Sequence, residues 1–277
     1  MAAFSVNVNP TALSALRTLN DTTRALSRTQ TRINTGLRVS SAKENAAIFS
    51  IAQKLRADLI GFGAVKQSLD RSISTTDIAL AAATAVSDLL IDMKEKAVAA
   101  ADQGLDTTSR NALSEDFESL RNQITTIINN AEFNGTNLID SGTDIITAIT
   151  NPDATQSLVV SHQQIALGTG SAIIITATQS IRTQTDAAQA VLDLVVSLTN
   201  VNIALTKLGS GATALEQNRR FADILSDVIE VGIGNLVDAD LAKESANLQA
   251  LQVKQQLGIQ ALSIANQAPQ AILQLFQ

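Results

Sequence analysis

One histidine, His162, and no cysteine occur in the 277 residues, and these two counts settle most of the covalent and metal chemistry the side chains could perform. Without thiols there is no disulfide, no thiolate ligand and no cysteine nucleophile. A zinc site would need carboxylates alone, and no HExxH helix can exist. A Ser-His-Asp arrangement could form only around His162, which sits in a low-complexity stretch expected to be exposed, so it reads as a surface histidine. Gly168-Thr169-Gly170 lacks the strand and helix that frame a phosphate loop, and no GxxxxGKS/T is present. No catalytic, cofactor-binding or metal-ligating residue is expected, and no cofactor.

What the spacing does offer is association. Alternating steps of three and four from Leu241 give Glu244, Leu248, Leu251, Gln255, Gly258, Leu262 and Ala265, the seam of a coiled coil. At roughly 100° per residue a second stripe, Ala246, Ala250, Val253, Leu257 and Ile264, falls on nearly the opposite side of the same helix. A helix apolar on two sides needs two sets of neighbours. The other end of the chain offers one, because Leu16, Leu19, Thr23, Leu26, Gln30 and Ile33 repeat the spacing with the same mixture of apolar and polar positions. Copies of the same protein are the expected cover for the other, and the leucine, isoleucine and valine members of these stripes form the expected self-assembly surface.

Composition agrees with long, closely packed helices. Hydrophobic residues make up 45% of the chain but aromatics only 3%, all of them Phe, so the core must be small and aliphatic. The net charge of -6 argues against nucleic acid as a partner. The beginning is basic through Arg17, Arg24, Arg28, Arg32, Arg38 and Lys43, whereas Glu216, Asp223, Asp227, Glu230, Asp238, Asp240 and Glu244 make the end acidic, which favours pairing the two ends. The opening residues lack a basic n-region and an uninterrupted apolar run, so no cleaved signal peptide is expected. No apolar run approaches the roughly 20 residues of a membrane span, so no membrane partner is expected.

Taken in order, Asn9-Pro10 reads as an N-cap and first helical position, with Gly36 ending the helix after Thr35. Ser41-Ala42-Lys43-Glu44 fits a capping box, and one very long helix runs from there to Gln103-Gly104, with a bend or close packing expected at Gly61 and Gly63. A further helix spans about Thr107 to Asn130, and Phe133-Asn134-Gly135 is a turn. Residues 140–180 change to Gly, Thr and β-branched runs, read as a few short strands in an outlying insert. Helical spacing returns near Ile181 and continues to Lys207. Gly209-Ser210-Gly211 is expected to make a tight reversal before a final helix toward Gly232 and Gly234. The expected fold is mainly α: a long antiparallel helical rod with paired terminal coiled-coil helices and a small β-containing insert.

Three stretches of this sequence resemble bacterial flagellins. INTGLRVSSAKENAAIFSIAQKLRA (Ile33 to Ala57) is similar to their amino-terminal signature, AEFNGTNLI (Ala131 to Ile139) to their FNG turn, and the segment from Asp238 to Phe276 to their carboxy-terminal signature. The texture of ALAAATAVSDLLIDMKEKAVAAAD resembles the alphaproteobacterial branch, with a short outer insert. The resemblance implies a structural, non-enzymatic subunit that self-assembles into the extracellular flagellar filament used for swimming. It implies terminal inner-tube helices at 1–40 and 238–277, a rod at 41–139 and 181–237, and a surface insert at 140–180. Implied partners are other copies, the flagellar type III export apparatus and flagellin chaperone, and the filament cap and hook-junction proteins, with export that needs no cleaved signal. Two alternatives stand beside it: a hook-filament junction protein, or a surface adhesin or carbohydrate-binding protein using the insert, which has no aromatic residue for stacking on sugars. In flagellins detected by the animal innate-immune receptor, a stretch resembling LQRVRELAV presents two arginines. The matching LIDMKEKAV, Leu90 to Val98, places Asp92 and Lys94 at those positions, followed by Glu95, which implies weak or absent activation.

Overall fold

The computed structural model describes residues 9–168 and 170–273. The expected lack of a leader in the first eight residues, Thr169 of the glycine-flanked loop, the last three residues of the carboxy-terminal signature and Gln277 lie outside it. The order of elements is α1 (Pro10–Thr35), α2 (Ala46–Ala100), α3 (Thr107–Asn130), β1 (Glu132–Phe133), β2 (Thr136–Asn137), β3 (Ile146–Ile149), β4 (Ser157–Val160), α4 (Gln184–Val237) and α5 (Leu241–Leu273). The chain forms two compact units, one joining the chain up to Ala57 with the chain from Val228, the other running from Asp58 to Asp227.

In the first unit, α1 starts where the sequence says it should. Asn9 accepts from the Ala12 amide at 3.1 Å, Pro10 takes the first position, and Gly36 closes the helix at φ 71°, a conformation a Cβ disfavours. The link to α2 is tied to the end of α4: the Arg38 amide donates to Val237 O at 2.7 Å and the Ala239 amide to Gly36 O at 2.8 Å. The expected capping box does not form. Glu44 instead accepts from the Ser40 amide at 2.7 Å, and Asn45 caps α2 by accepting from the Ile48 amide at 3.1 Å. An Asn directly before the helix competes better for the N-cap than a Ser four residues earlier. At the start of α5, Asp240 accepts from the Ala242 and Lys243 amides.

The second unit is built on heptad spacing. Along α2 the buried positions Phe62, Val65, Leu69, Ser72, Thr76, Ala79, Ala83, Val86, Leu90, Met93, Ala97 and Ala100 alternate steps of three and four without a break. Ser114, Phe117, Arg121, Ile124 and Ile128 do the same on α3. The buried hydroxyls cost little because each folds back on its own helix: Ser72 donates to Ser68 O and Thr76 to Ser72 O, both at 2.8 Å. The corner after α2 is closed by Arg110, whose Nε donates to Ala100 O at 2.9 Å and Nη2 to Asp102 O at 2.8 Å, so a cation meets carbonyls left open at the helix end. On the surface Lys66 and Arg219 both hold Asp223, and the Lys66 hydrogen bond above all keeps that carboxyl below its usual range.

Three expectations are corrected here. Gly209-Ser210-Gly211 makes no reversal; α4 runs through it unbroken for 54 residues. The buried positions Leu194, Ser197, Val201, Ala204 and Leu208 keep alternating threes and fours, then Ala212 follows Leu208 by four again, a stutter at which Gly211 lies close to β4. A Cβ on Gly211 would stand 3.1 Å from Val160 Cγ1, so this glycine serves close packing rather than a turn. The insert is not outlying either. Ile165, Ile173 and Ile175 are fully buried, and its backbone is bonded to Leu138, Ile139, Ser68 and Ser197. Among its described residues the regular strands are β3 and β4, paired antiparallel with Ile146 opposite Val160. Finally, α2 and α4 each hold a stretch apolar and long enough to cross a bilayer, where no run of that length was expected, because their apolar residues surround the helix instead of keeping to one face.

Gly61 and Gly63 separate the two explanations offered for them. A Cβ on Gly61 would stand 2.6 Å from Pro152 Cβ, whereas nothing lies within 4 Å of the corresponding point on Gly63. Gly63→Ala is therefore expected to stabilise the unit by about 0.8–1 kcal/mol in urea denaturation. Gly61→Ala should lower stability despite the same gain in helix propensity, because Pro152 must move; equal stabilisation by both changes would contradict the packing described.

Candidate assembly interface

Among the described residues no group of three or more His, Asp or Glu side chains is placed to hold a metal ion. His162 is not the exposed residue the sequence suggested. Its side chain is 11% exposed and its Nε2 lies 3.3 Å from Asp140 Oδ1, a packing role inside the insert. The residues that can act are those left uncovered on helices.

On α5 the seam follows the predicted spacing from Glu244 onward, but not at Leu241. Glu244 is buried and Leu248, Leu251, Gln255, Gly258, Leu262 and Ala265 are half-buried, while every other described side chain of the helix, Leu241 included, is exposed. The partner is α1, running antiparallel. Asn9 Nδ2 donates to Ala265 O at 2.7 Å, a Cβ on Gly258 would stand 3.3 Å from Leu19 Cδ1, and Arg32 Nη1 meets Glu244 Oε1 at 3.1 Å. These three contacts, at the far end, middle and near end, fix one register.

The α1 side of the seam differs from its expected form. Leu19, Leu26 and Ile33 are in it, but Leu16, Thr23 and Gln30 are exposed, and the remaining positions are Ala12, Ala15, Thr22 and Thr29. Leu16 looks the better seam residue by hydrophobicity, yet Ala15, one position and roughly 100° away, lets the two backbones approach over Gly258. Small residues at a close crossing were the available signal. Arg32 and Glu244 were also missed as a pair, although each lies within its predicted helix. The pair sits inside an otherwise uncharged seam, and Arg32 Nε has no acceptor among the described residues. Such a pair selects one register at some cost in stability.

Among the described residues nothing covers the second stripe of α5, whose members are all exposed. Exposure runs from 42% at Leu16 on α1 to 68% at Ile264, with Leu241, Val253 and Leu257 between these values. On α4, Leu192, Val196 and Ile203 repeat one exposed apolar face, followed by Phe221, Ile224, Val228 and Val231. Contiguous apolar surface of this kind marks association. On α2, Asp92 and Glu95 are exposed and Lys94 half-buried beside the buried Met93 and Ala97, while Lys96 is paired with Asp116, so the two carboxylates have one amine, Lys94, between them.

Comparison with known proteins agrees with this picture. The family model for the bacterial flagellin N-terminal helical region matches residues 6–144, and that for the bacterial flagellin C-terminal helical region matches residues 192–276. The chain is 46% identical to Flagellin FljM of Caulobacter vibrioides over 277 residues, all of both chains. It is 35% identical to a flagellin of Brucella melitensis over 99% of each chain. Among solved structures, a putative flagellar hook-associated protein from Vibrio parahaemolyticus shares the fold at TM-score 0.57 and 14% identity, over 70% of this chain and all of that one.

The register contacts lead to an expected outcome. Glu244→Leu leaves Arg32 half-buried without its carboxylate and should weaken the α1–α5 pair by about 1.5–3 kcal/mol, read as at least tenfold faster hydrogen exchange of α1 amides. Adding Arg32→Met should restore most of the protection, since an apolar pair fills the seam. Unchanged exchange in the single variant would mean the ion pair holds nothing.

Proposed function

This chain belongs to the bacterial flagellin family, and we propose that the two stripes of α5 have separate roles, the seam joining α1 and α5 within one copy and the outer stripe closing between copies. The protein is a structural subunit of the extracellular flagellar filament, it is not an enzyme, and its partners are copies of itself. The observation that carries the division is that all described α5 side chains off the seam are exposed, among them Val253, Leu257 and Ile264. Leu16 and Leu241 belong to the outer surface, and Leu19, Leu26, Ile33, Leu248, Leu251 and Leu262 to the seam.

In this reading residues 1–40 and 238–277 form the inner tubes of the filament, 41–139 and 181–237 the rod, and 140–180 a surface insert folded down onto the helices. The reading includes export through the flagellar type III apparatus with a flagellin chaperone and assembly under a cap beyond the hook-junction proteins. A cysteine-free chain of this kind needs no oxidative step on the way out. Asp92, Lys94 and Glu95 replace the two-arginine pattern of receptor-active flagellins with one amine between carboxylates, so the immune receptor's charge pairs would be lost.

Fully burying a leucine contributes about 1.5–3 kcal/mol, and a buried unpaired charge costs several more, once for every contact in the polymer. Leu257→Asp is thus expected to leave far-UV circular dichroism unchanged and abolish sedimentable filaments and swimming, whereas Thr178→Asp on the insert should swim normally. Removing the residues after Asp238 should likewise abolish polymer and leave a helical protein; filaments from either the Leu257 variant or the truncated chain would refute the division of roles. For the receptor, Asp92→Arg with Lys94→Arg should raise the response of reporter cells to purified monomer, and a parent already at full potency would show that these positions do not matter.

A further inference from the structure

The charges on α1 do not find one another's opposites where the sequence suggested. Of its four arginines only Arg32 reaches a carboxylate; Arg17, Arg24 and Arg28 are exposed and make no ion pair among the described residues, and neither does Asp21. Positions 17, 21, 24 and 28 follow one another by four, three and four residues, so they lie on one face of the helix. Their signs are plus, minus, plus, plus.

The same spacing with every sign reversed occurs on α4. Glu216, Arg220, Asp223 and Asp227 also step by four, three and four, and read minus, plus, minus, minus. Glu216, Arg220 and Asp227 are exposed and unpaired among the described residues, and Asp223 keeps a half-exposed carboxylate beside Lys66 and Arg219. Each helix carries a like-charged pair one turn apart, Arg24 with Arg28 and Asp223 with Asp227, which weakens an isolated helix. Each of those pairs would be relieved by the other helix. Exposed Phe221 and Ile224 flank the acidic face and Leu13 and Leu16 the basic one, so apolar surface is available at the same edges.

We propose that the outer face of α1 in one copy docks on this face of α4 in a second copy through the four mirrored positions. The proposal rests on the filament reading and names one of its contacts. If the two helices run in the same direction all four positions oppose their counterparts. If they run in opposite directions, positions 17 and 28 still oppose 227 and 216, but Asp21 then faces Asp223 and Arg24 faces Arg220, like charge on like, so the pattern favours the same direction. Complementary charge of this kind sets partner and register more than raw affinity.

The outer positions make the test independent of direction. Arg17→Glu with Arg28→Glu gives one variant of the full-length chain, and Glu216→Arg with Asp227→Arg gives another. All four sites are exposed, and far-UV circular dichroism checks that both stay helical. Each variant alone should need at least about tenfold more protein than the parent to form sedimentable polymer, and an equimolar mixture of the two should polymerise near the parental concentration, because α1 of either variant then meets a matching α4 on the other. Polymerisation of each variant at the parental concentration would show that these are solvated faces and overturn the docking. Rescue in a single chain carrying all four changes, without rescue in the mixture, would place the contact within one copy and overturn it as well, as would no rescue in either. A parent that forms no polymer would instead remove the filament reading itself, so the two failures are told apart.

Discussion

A helix with apolar residues on two opposite faces cannot bury both against a single partner, and α5 is such a helix. Its seam closes on α1, with Glu244, Leu251, Gly258 and Ala265 recurring along it at every second turn. Its outer face keeps Val253, Leu257 and Ile264 in water. The same surplus occurs on α4, where Leu192, Val196 and Ile203 lie outside the heptad seam. Part of the apolar surface of the molecule is thus satisfied within one chain, and part is left exposed, where the proposed polymer would cover it. Hydrophobic association is non-directional, so direction has to come from elsewhere. In the seam it comes from Asn9, Gly258 and the Arg32–Glu244 pair, and between copies the proposed source is charge.

Small side chains make the close helix packing possible. Ser72, Thr76 and Ser197 sit in the interior with their hydroxyls turned back onto their own helices, which removes the desolvation cost that a polar core residue would otherwise carry. Alanines at 79, 83, 97 and 100 repeat the pattern along α2. Only Phe117 among the largest buried side chains is aromatic, so the core of the second unit is shaped by branched aliphatics and the spacing between them. Three glycines stand where a neighbouring residue crowds the place of a Cβ: Gly61 against Pro152, Gly211 against Val160, Gly258 against Leu19.

Much of this was legible in the sequence because heptad spacing and helix ends are local signals. Asn9-Pro10 and Gly36 bound α1 as read, α3 starts and stops as read, and the α5 seam from Glu244 to Ala265 is the one predicted, with only Leu241 falling outside it. What escaped depended on neighbours. Leu16 was placed in the seam because a leucine outweighs an alanine by hydrophobicity, whereas the crossing at Gly258 favours Ala15. Gly209 to Gly211 carry the composition of a turn, and only the approach of Val160 shows why a helix would accept them. The insert has a loop's composition, and its Ile165, Ile173 and Ile175 give no periodic sign of being core. His162 followed from the same misreading, since a residue in a segment thought to project was thought to be wet.

The central claim is that the outer stripe of α5 is covered by another copy and by nothing in its own chain. The protein has no cysteine, so a single introduced thiol reports one position without background. Maleimide labelling of Leu257→Cys, compared with Thr178→Cys on the insert, measures that cover directly in monomer and in filament. The account predicts that both thiols label readily in the monomer and that in filaments labelling at 257 falls by at least about tenfold while 178 stays reactive. Equal reactivity of 257 before and after polymerisation would contradict it.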